Sequence, residues 1–304
     1  MKTPVVLIIF RRPEKTQKLL NIIREIQPKQ LFVIADAPRS HKLGEAEKCE
    51  KTRAIIETID WDCQVYKNYS EQNLGSSKRI PTGLNWVFSQ VEEAIILEDD
   101  CLPEKTFFPF CEELLEHYRH DQRVMTISGN NFQFGHQTTS DSYYFSRYSH
   151  SWGWATWRRA WQYFDMNMTH WPRVKEQQLL NFILEDRRTR QYWENIFQGV
   201  FDNQIVAWDY RWTFACWLQN ALTILPSRNL VSNIGFDEDA SHTTSKNHPF
   251  AYLPTYPMTF PIQHPAYLIR DGAADQFSQN TIFDPTLTYR LKRKLSKFFS
   301  KVSL

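Results

Sequence analysis

The chain has 304 residues, of which 42% are hydrophobic and 23% are charged, and its formal net charge is +2. This composition is typical of a folded globular protein and excludes an intrinsically disordered chain. The nearly neutral charge gives no reason to expect a nucleic-acid partner. The length suits one large domain or two small ones.

The pattern of cysteines and the pattern of hydrophobic residues further narrow the class of protein. The five cysteines include no pair with C-x-x-C spacing, which argues against a disulfide framework and against a zinc site. The apolar run at residues 5–10 is too short to span a bilayer, which takes about 20 residues, and no other segment is long enough. The run also lacks a signal-peptide cleavage site, so we expect a cytoplasmic protein with reduced thiols.

The first hundred residues alternate between strand and helix patterns. Short apolar runs predict buried strands at 5–10, 31–35, 62–66 and 94–97. Apolar residues at helical spacing predict helices at 14–26, 45–59 and 80–90. This βαβ rhythm predicts an α/β fold with a mostly parallel central sheet flanked by helices. Ligands of such sheets bind beyond the carboxyl ends of the strands.

The second half of the sequence has fewer regular patterns. Helices are predicted at 107–118, 179–197 and 210–220, and strands at 124–129 and 222–226. A loop-rich stretch follows residue 129, and residues 233–248 are predicted to form a polar loop. Aromatic residues make up 15% of the chain, and many of them lie between Phe132 and Trp217. Such a cluster either fills a core or stacks on sugar rings or bases.

An acidic triplet, Glu98-Asp99-Asp100, follows the strand predicted at 94–97. Three adjacent carboxylates repel one another unless a positive charge lies among them. Mg²⁺ or Mn²⁺ is the expected partner, because both prefer oxygen ligands and share sites with phosphates. Asp36 ends the second predicted strand at the same edge of the sheet. The alternative is a solvated acidic turn.

A glycine-containing turn at residues 73–79 (NLGSSKR) opens the third predicted helix. Backbone amides at a helix N-terminus, with Lys78 and Arg79 close by, are typical of phosphate binding. Many helices begin in this way without binding phosphate. The glycine spacing fits neither a P-loop nor a dinucleotide-binding fingerprint.

Taken in order, these features resemble the GT-A class of glycosyltransferases. They are an N-terminal strand, an Asp after the second strand, N-x-G-x-x-x-R opening a helix, and a strand ending in Glu-Asp-Asp. The Glu-Asp-Asp form and the later Gly-Trp and Trp-Asp segments are similar to the N-acetylglucosaminyltransferase I branch and its bacterial relatives, some of which are labelled hemolytic protein. The resemblance extends over residues 5–242.

The resemblance implies a nucleotide-sugar site and assigns residues to it. Asp36 would contact the base or the ribose of the nucleotide, and Arg11 would lie near the same nucleotide. Lys78 and Arg79 would lie along the nucleotide and its diphosphate. Asp99 would reach the ribose or the sugar.

The resemblance also implies a metal and a mobile loop. Asp100 would ligate Mn²⁺ or Mg²⁺, and Glu98 would orient its neighbours. His242 would be a second ligand of the metal or the diphosphate, in a loop that closes over the donor and excludes water. Trp154, which follows Gly153, would stack on the donor sugar. The alternatives are an exposed loop histidine and a tryptophan packed in the core.

Asp209 is the candidate catalytic base, because the resemblance places a proton-accepting carboxylate in the Trp-Asp segment. Transfer of a sugar to a hydroxyl needs one positioned base. Trp208 and Trp212 would desolvate the Asp209 carboxyl and raise its pKa. Tyr210 stands where some relatives have a second acid, so another acid remains an alternative base. A carboxylate that only stabilises a helix N-terminus is the other alternative.

These expectations combine into a metal-dependent glycosyltransferase of the hexosyltransferase type. It would move a sugar from a nucleotide diphosphate, UDP above others, to a hydroxyl of a glycan or lipid-linked acceptor, with inversion. We expect one continuous domain, with a nucleotide-sugar-binding half at 1–129 and an acceptor half at 130–270. In the tail at 271–304, residues 289–302 (YRLKRKLSKFFSKV) form a basic amphipathic segment suited to peripheral contact with an anionic membrane.

Two other functions remain open. A sugar nucleotidyltransferase also combines a parallel sheet with metal-binding acids. It carries a basic glycine-rich loop after its first strand, where this chain has Arg11-Arg12-Pro13. A non-catalytic carbohydrate-binding or membrane-associated protein would explain the aromatic residues and the basic tail, but it leaves the acidic triplet and Asp209 without a role.

Overall fold

The computed structural model of the protein describes residues 1–136, 139–236 and 248–285. Its strands are β1 Val5–Ile9, β2 Gln30–Ala35, β3 Gln64–Tyr69, β4 Glu93–Glu98, β5 Cys101–Pro103, β6 Val124–Ser128, β7 Tyr143–Ser146, β8 Trp154–Trp157, β9 Leu222–Pro226 and β10 Val231–Asn233. Its α-helices are α1 Pro13–Ile26, α2 Glu45–Ile56, α3 Ser76–Phe88, α4 Phe107–His117, α5 Arg158–Trp161, α6 Trp171–Glu176, α7 Arg187–Phe201, α8 Asp209–Leu218 and α9 Gly272–Ser278. A 3-10 turn covers Leu179–Phe182, and a π-helical turn covers Gln279–Phe283.

One eight-stranded sheet runs through the described chain in the order β3-β2-β1-β4-β8-β6-β9-β7. Strands β3, β2, β1 and β4 are parallel neighbours, and β6 pairs in parallel with β9. Strand β8 lies antiparallel between β4 and β6, and β7 is antiparallel to β9 at the edge. The predicted α/β class, with a mostly parallel central sheet flanked by helices, is confirmed.

Apolar side chains cover both faces of this sheet. Along β1, Val5 and Leu7 belong to one buried cluster with residues of α1 and α4. Val6 belongs to the opposite cluster, with residues of α3 and α8. Burying one such aliphatic side chain contributes about 1.5–3 kcal/mol. A strand that is buried on both faces needs the continuous apolar sequence that residues 5–9 show.

A third cluster, formed mostly by aromatic residues, joins α6, α7 and α8. Trp171, Trp193, Phe197 and Trp217 pack together in it, and Trp193 and Trp217 meet edge to face with ring centroids 4.8 Å apart. Rings in such edge-to-face pairs stabilise each other beyond their burial. The structure therefore assigns most of the aromatic-rich region to the core.

The region predicted as a single helix at 179–197 is divided. A 3-10 turn ends at Phe182, and α7 begins at Arg187. Asp186 caps α7, because its side chain accepts a hydrogen bond of 2.8 Å from the Thr189 amide. A capping carboxylate marks a helix start, so the apolar periodicity alone placed this boundary too early.

The folded part continues past residue 270, where the tail was predicted to begin. Asp275 on α9 is buried, and it accepts hydrogen bonds from Ser146 and from the Arg147 guanidinium, the latter at 3.2 Å. The segment 271–285 is thereby attached to the end of β7. The basic segment 289–302 lies outside the described residues. Among the described helices, none combines the length and the apolar character needed to cross a membrane.

Candidate functional site

Asp36 holds the turn that precedes α3. The Gly75 amide donates to its Oδ2 at 2.8 Å, and the Leu74 amide donates to its Oδ1 at 3.0 Å. The Asn73 side chain also donates to Asp36, at 3.2 Å. Asp36 therefore joins the end of β2 to the turn at residues 73–75. Its carboxylate oxygens are occupied by these donors, which differs from the expected direct contact with a base or ribose.

Lys78 and Arg79 point in different directions from the first turn of α3. Lys78 is exposed. Arg79 is buried, and it donates to the Ala35 carbonyl at 3.0 Å and to Asn68. Burial also lowers the pKa of Arg79. The structure thus places Arg79 under the sheet edge, where it joins β2 to β3, and not on an open surface beside a diphosphate.

Arg12 supplies the positive charge that the acidic triplet requires. Its Nη1 lies 2.9 Å from Oδ1 of Asp99 and 2.7 Å from Oδ2 of Asp100. The Phe10 amide donates to the other Asp99 oxygen at 3.2 Å. Burial raises the pKa of Asp99 to about 6, and Arg12 opposes this effect. Asp99 is buried and holds Arg12 in place, in contrast to the expected contact with the ribose or sugar.

Arg11 has a different partner. Its guanidinium lies 3.3 Å from Glu45 at the start of α2, and Arg39 pairs with the same carboxylate. The hydrogen bond from Arg39 lowers the pKa of Glu45, and burial opposes this effect. Arg11 and Arg12 therefore both lie beyond the carboxyl end of β1, but Arg11 pairs with Glu45 and Arg12 pairs with the acidic triplet.

A cavity of about 520 Å³ opens at the carboxyl ends of β1 and β4. Residues from distant parts of the chain line it, among them Arg12, Ser76, Glu98, Asp100, Trp152, Trp208, Asp209, Asn233, Gly235 and His248. Cavities at this edge are the usual binding sites of open α/β sheets. We call this space the first cavity.

Glu98 and Asp100 give the first cavity its acidic wall. Burial raises the pKa of Glu98 to about 8, and the neighbouring Asp100 and Asp99 charges add to the effect. Asp209 also contributes to this shift, so it lies within electrostatic range of Glu98. A Glu98 carboxyl that is neutral at pH 7 reduces the repulsion among the acids and can donate a hydrogen bond.

Gly235 brings the backbone against Asp100. A Cβ atom at Gly235 would lie 2.1 Å from Asp100 Oδ2, so a larger residue there would displace the Asp100 carboxylate. The Asn233 side-chain oxygen accepts from the Gly235 amide at 2.7 Å, and the Ile234 amide donates to the Asp100 carbonyl at 2.8 Å. These bonds fix the chain after β10 beside the acidic triplet.

Asp209 is the first residue of α8, and its side chain lines the first cavity. A carboxylate at this end of a helix interacts favourably with the helix dipole. Trp208 also lines the cavity, but Trp212 points into the core, where its indole donates to Thr126 at 3.0 Å. The structure thus brings Asp209 and Asp100 to one cavity, although 108 positions separate them in the sequence.

Trp154 is a core residue, which corrects its assignment to the donor sugar. It is 1% exposed and packs between Trp208 and Trp212, with ring centroids 5.6 and 5.9 Å away. Gly153 has φ +71°, and this left-handed residue turns the chain before β8. The turn leaves Trp152, and not Trp154, on the wall of the first cavity.

The sequence reasoning missed several residues of the first cavity. In the sequence, Arg12 is one of two adjacent arginines, and Trp152 is one of two tryptophans beside a glycine. Neither pattern indicates which residue of the pair faces the cavity. His248 stacks on Phe236 with ring centroids 5.1 Å apart and lines the cavity. His242, the predicted metal ligand, lies outside the described residues. Its assignment remains a prediction.

The donor atoms around Asp100 suit a hard cation. Asp100, Asn233 and Glu98, whose side chains all carry oxygen atoms, line the cavity together. Within the described residues, no three His, Cys, Asp or Glu side chains surround one point as a complete protein cage would. Mg²⁺ is usually held by one or two carboxylates together with phosphates and waters. The residues fit a cation that is shared with a diphosphate.

Comparison with known proteins identifies no family. No family model matches the sequence, and no curated protein matches it. Mouse xyloside xylosyltransferase 1, in its apo form, is similar with a TM-score of 0.36 at 9% identity, over 71% of this chain and 81% of that chain. A cytidylyltransferase from Leptospira borgpetersenii gives 0.35 at 12% identity, over 59% and 73%. HddC from Yersinia pseudotuberculosis gives 0.32 at 9% identity, over 55% and 83%. Scores of this size establish no common activity.

Proposed function

We propose that the protein is a metal-dependent glycosyltransferase that moves a sugar from a nucleotide diphosphate, UDP above others, to a hydroxyl group, with inversion. One observation carries the proposal. A single cavity at the carboxyl edge of the sheet is lined both by Asp100, which follows β4, and by Asp209, which begins α8. A metal-dependent sugar transfer needs one acid that binds the metal beside the diphosphate. It also needs a second acid that accepts the proton of the acceptor hydroxyl.

In the proposed reaction, Asp209 accepts the proton of the acceptor hydroxyl. The acceptor oxygen forms a bond to the anomeric carbon of the donor sugar, and the bond from that carbon to the diphosphate oxygen breaks. Both electrons of the broken bond leave with the nucleoside diphosphate. Attack on the face opposite the leaving group inverts the anomeric centre. Asp209 needs only to lie within hydrogen-bonding reach of the acceptor, directly or through one water.

Asp100 is the proposed metal ligand, and His242 is a second proposed ligand. A divalent cation bound there would neutralise the negative charge that develops on the departing diphosphate. Arg12 contacts Asp100 at 2.7 Å and lines the same cavity, so its guanidinium lies where diphosphate oxygens would arrive. Arginine binds phosphate oxygens through several N–H donors at once.

The acceptor in this proposal is a glycan or a lipid-linked sugar. We place the enzyme in the cytoplasm, with residues 289–302 making peripheral contact with the membrane. Polybasic segments gain about 1 kcal/mol per Lys or Arg near an anionic surface. This segment carries two lysines and two arginines between Tyr289 and Leu295. Two more lysines, Lys297 and Lys301, follow and would add to the attraction.

The donor site is tested by thermal unfolding of the protein with UDP, GDP, CDP, ADP and their sugar conjugates, with and without Mn²⁺. We expect one nucleoside diphosphate to raise the melting temperature only when Mn²⁺ is present, because a ligand of the native state stabilises it in proportion to log concentration. Asp100→Asn should abolish this shift while the unliganded protein still unfolds cooperatively.

Glu50→Gln is the matched control, because Glu50 is an exposed acid on α2 and does not line the first cavity. It should keep the full nucleotide shift. If no nucleotide stabilises the folded wild-type protein, the glycosyltransferase proposal is wrong. The corresponding nucleoside triphosphates are measured in the same way. Stabilisation by a triphosphate and not by a diphosphate would instead indicate a nucleotidyltransferase.

A further inference from the structure

A second cavity, of about 230 Å³, lies beside the first. Ser151, Trp152, Asp209, Tyr210 and Phe250 line both cavities. Asp209 therefore stands in the wall between two spaces, each of which can place a molecule against its carboxylate. A base that serves a two-substrate transfer needs access of this kind.

The walls of the second cavity are aromatic. Phe132 meets Trp152 edge to face, with ring centroids 5.4 Å apart. Tyr192 on α7 and Phe283 in the π-helical turn complete the lining. Flat aromatic side chains provide apolar contact surface for the carbon face of a sugar ring. All described residues that line this cavity follow residue 129 in the sequence.

Two polar side chains, those of Asn130 and His150, also line the second cavity. The Oδ1 atom of Asn130 is fully buried, and it accepts no hydrogen bond from any described residue. His150 is 9% exposed, and burial lowers its pKa to about 3, so its imidazole is neutral at pH 7. Buried polar groups normally pair with protein, water or ligand. The Asn130 oxygen has almost no accessible surface, so His150 is the group that a ligand in this cavity can reach. Its neutral imidazole can donate and accept a hydrogen bond, which suits a ligand with hydroxyl groups.

The charges of the residues that line the second cavity indicate that its ligand differs from the nucleotide-sugar donor. Among the described residues that line it, none is Lys or Arg, whereas the first cavity has Arg12. A diphosphate would find no cationic partner there, and the Asp209 carboxylate would repel it. The second cavity therefore disfavours an anionic ligand such as a nucleoside diphosphate.

We propose that the second cavity binds a neutral sugar residue of the acceptor and presents one of its hydroxyl groups to Asp209. This proposal rests on the glycosyltransferase function proposed above and gives the acceptor its chemical class. The acceptor sugar stacks on the aromatic wall formed by Trp152 and Tyr192. Another of its hydroxyl groups hydrogen-bonds to His150.

Saturation-transfer NMR with methyl glycosides of glucose, galactose and N-acetylglucosamine tests this assignment, in the presence and absence of UDP and Mn²⁺. Ile282→Trp fills the second cavity from its rim, and Ile282 does not line the first cavity. We expect at least one glycoside to give saturation transfer with the wild type and at least fivefold less with Ile282→Trp. The UDP-induced thermal shift should be the same in both proteins.

Ile269→Trp is the control, because Ile269 is 70% exposed and lies outside both cavities. It should bind the glycoside as the wild type does. His150→Gln is a second test that leaves the shape of the cavity nearly intact, and it should weaken the signal of the same glycoside.

The outcomes separate this proposal from the proposed function. An unchanged glycoside signal in Ile282→Trp, or no glycoside signal while UDP still stabilises the protein, overturns the acceptor assignment and leaves the donor site standing. A glycoside signal that Ile282→Trp removes, in a protein that no nucleotide stabilises, supports the sugar site and overturns the glycosyltransferase.

Discussion

Arg11 and Arg12 are neighbours with different partners. Arg11 pairs with Glu45, whereas Arg12 pairs with Asp99 and Asp100. The sequence shows two cations after an apolar strand, and the resemblance to GT-A enzymes selected the first of them. Successive residues at a strand end point to opposite sides. Which side faces the acidic triplet depends on the sheet order, and the sequence pattern does not specify it.

His150 should make the protein sensitive to acid. Because burial lowers the pKa of His150 to about 3, the unfolded chain takes up a proton below pH 6.5 that the folded protein does not bind. The stability from this group is present above pH 6.5 and is lost as the pH falls. One proton corresponds to about 1.4 kcal/mol per pH unit, so the free energy of unfolding should fall by about 2 kcal/mol between pH 6.5 and 5.

Urea unfolding at several pH values measures this contribution. In His150→Gln the decrease between pH 6.5 and 5 should be smaller than in the wild type by about the same 2 kcal/mol. His120, exposed after α4, is the control, and His120→Gln should keep the wild-type slope. Equal slopes in the wild type and His150→Gln would show that His150 is protonated in the folded protein.

At the level of elements, the N-cap of α7 carries a measurable part of the stability. Asp186→Ala removes the acceptor of the Thr189 amide and should lower the free energy of unfolding by about 1 kcal/mol. Asp186→Ser, which supplies another capping oxygen, should restore most of the loss. Denaturant midpoints measure both. If the serine variant is as unstable as the alanine variant, the effect does not come from the cap.

The strands and helices of the first hundred residues were predictable because each has one dominant pattern. Helix α3 is an instructive exception, since it begins at Ser76, four residues before its predicted start. Strands β7 and β8 were missed. Their four-residue sequences, YYFS and WATW, are too short to show a period. Their place in the sheet comes from pairing with β9, β4 and β6, which are far away in the chain.

At the scale of the whole molecule, the sheet order decides which predicted residues meet. Insertion of β8 beside β4 brings the turn at Trp152 and Gly153 to the carboxyl end of β4, where Glu98 lies. The sequence marked Asp100 and Asp209 as candidates because each has a distinctive local context. It could not show that Asp36 and Arg79 turn inward, since their partners are backbone groups of other elements.

Asp209 should be needed for transfer and not for donor binding. Asp209→Asn keeps the shape of the side chain but cannot take a proton. We expect the rate of UDP release, from whichever UDP-sugar binds, to fall by about 10²–10⁴-fold with a methyl glycoside as acceptor. The Mn²⁺-dependent UDP shift in melting temperature should remain, because the acceptor side of the cavity does not hold the nucleotide.

Glu50→Gln is again the control and should release UDP at the wild-type rate. If Asp209→Asn is also fully active, another acid is the base. If it loses the UDP shift, Asp209 belongs to the donor site, and the division of roles between Asp100 and Asp209 is wrong.

The two walls of the first cavity differ in how freely they can vary. At Gly235 even a methyl group would collide with Asp100, so a larger residue there would displace the Asp100 carboxylate from its position beside Arg12. Across the cavity, Val206 is 61% exposed and lies in the segment that precedes α8. A lineage or a directed-evolution library that acquires a new donor sugar has room to do so at residues 205–207. We therefore expect variants with different substrate preferences to differ at residues 205–207 and to keep the residues beside Asp100.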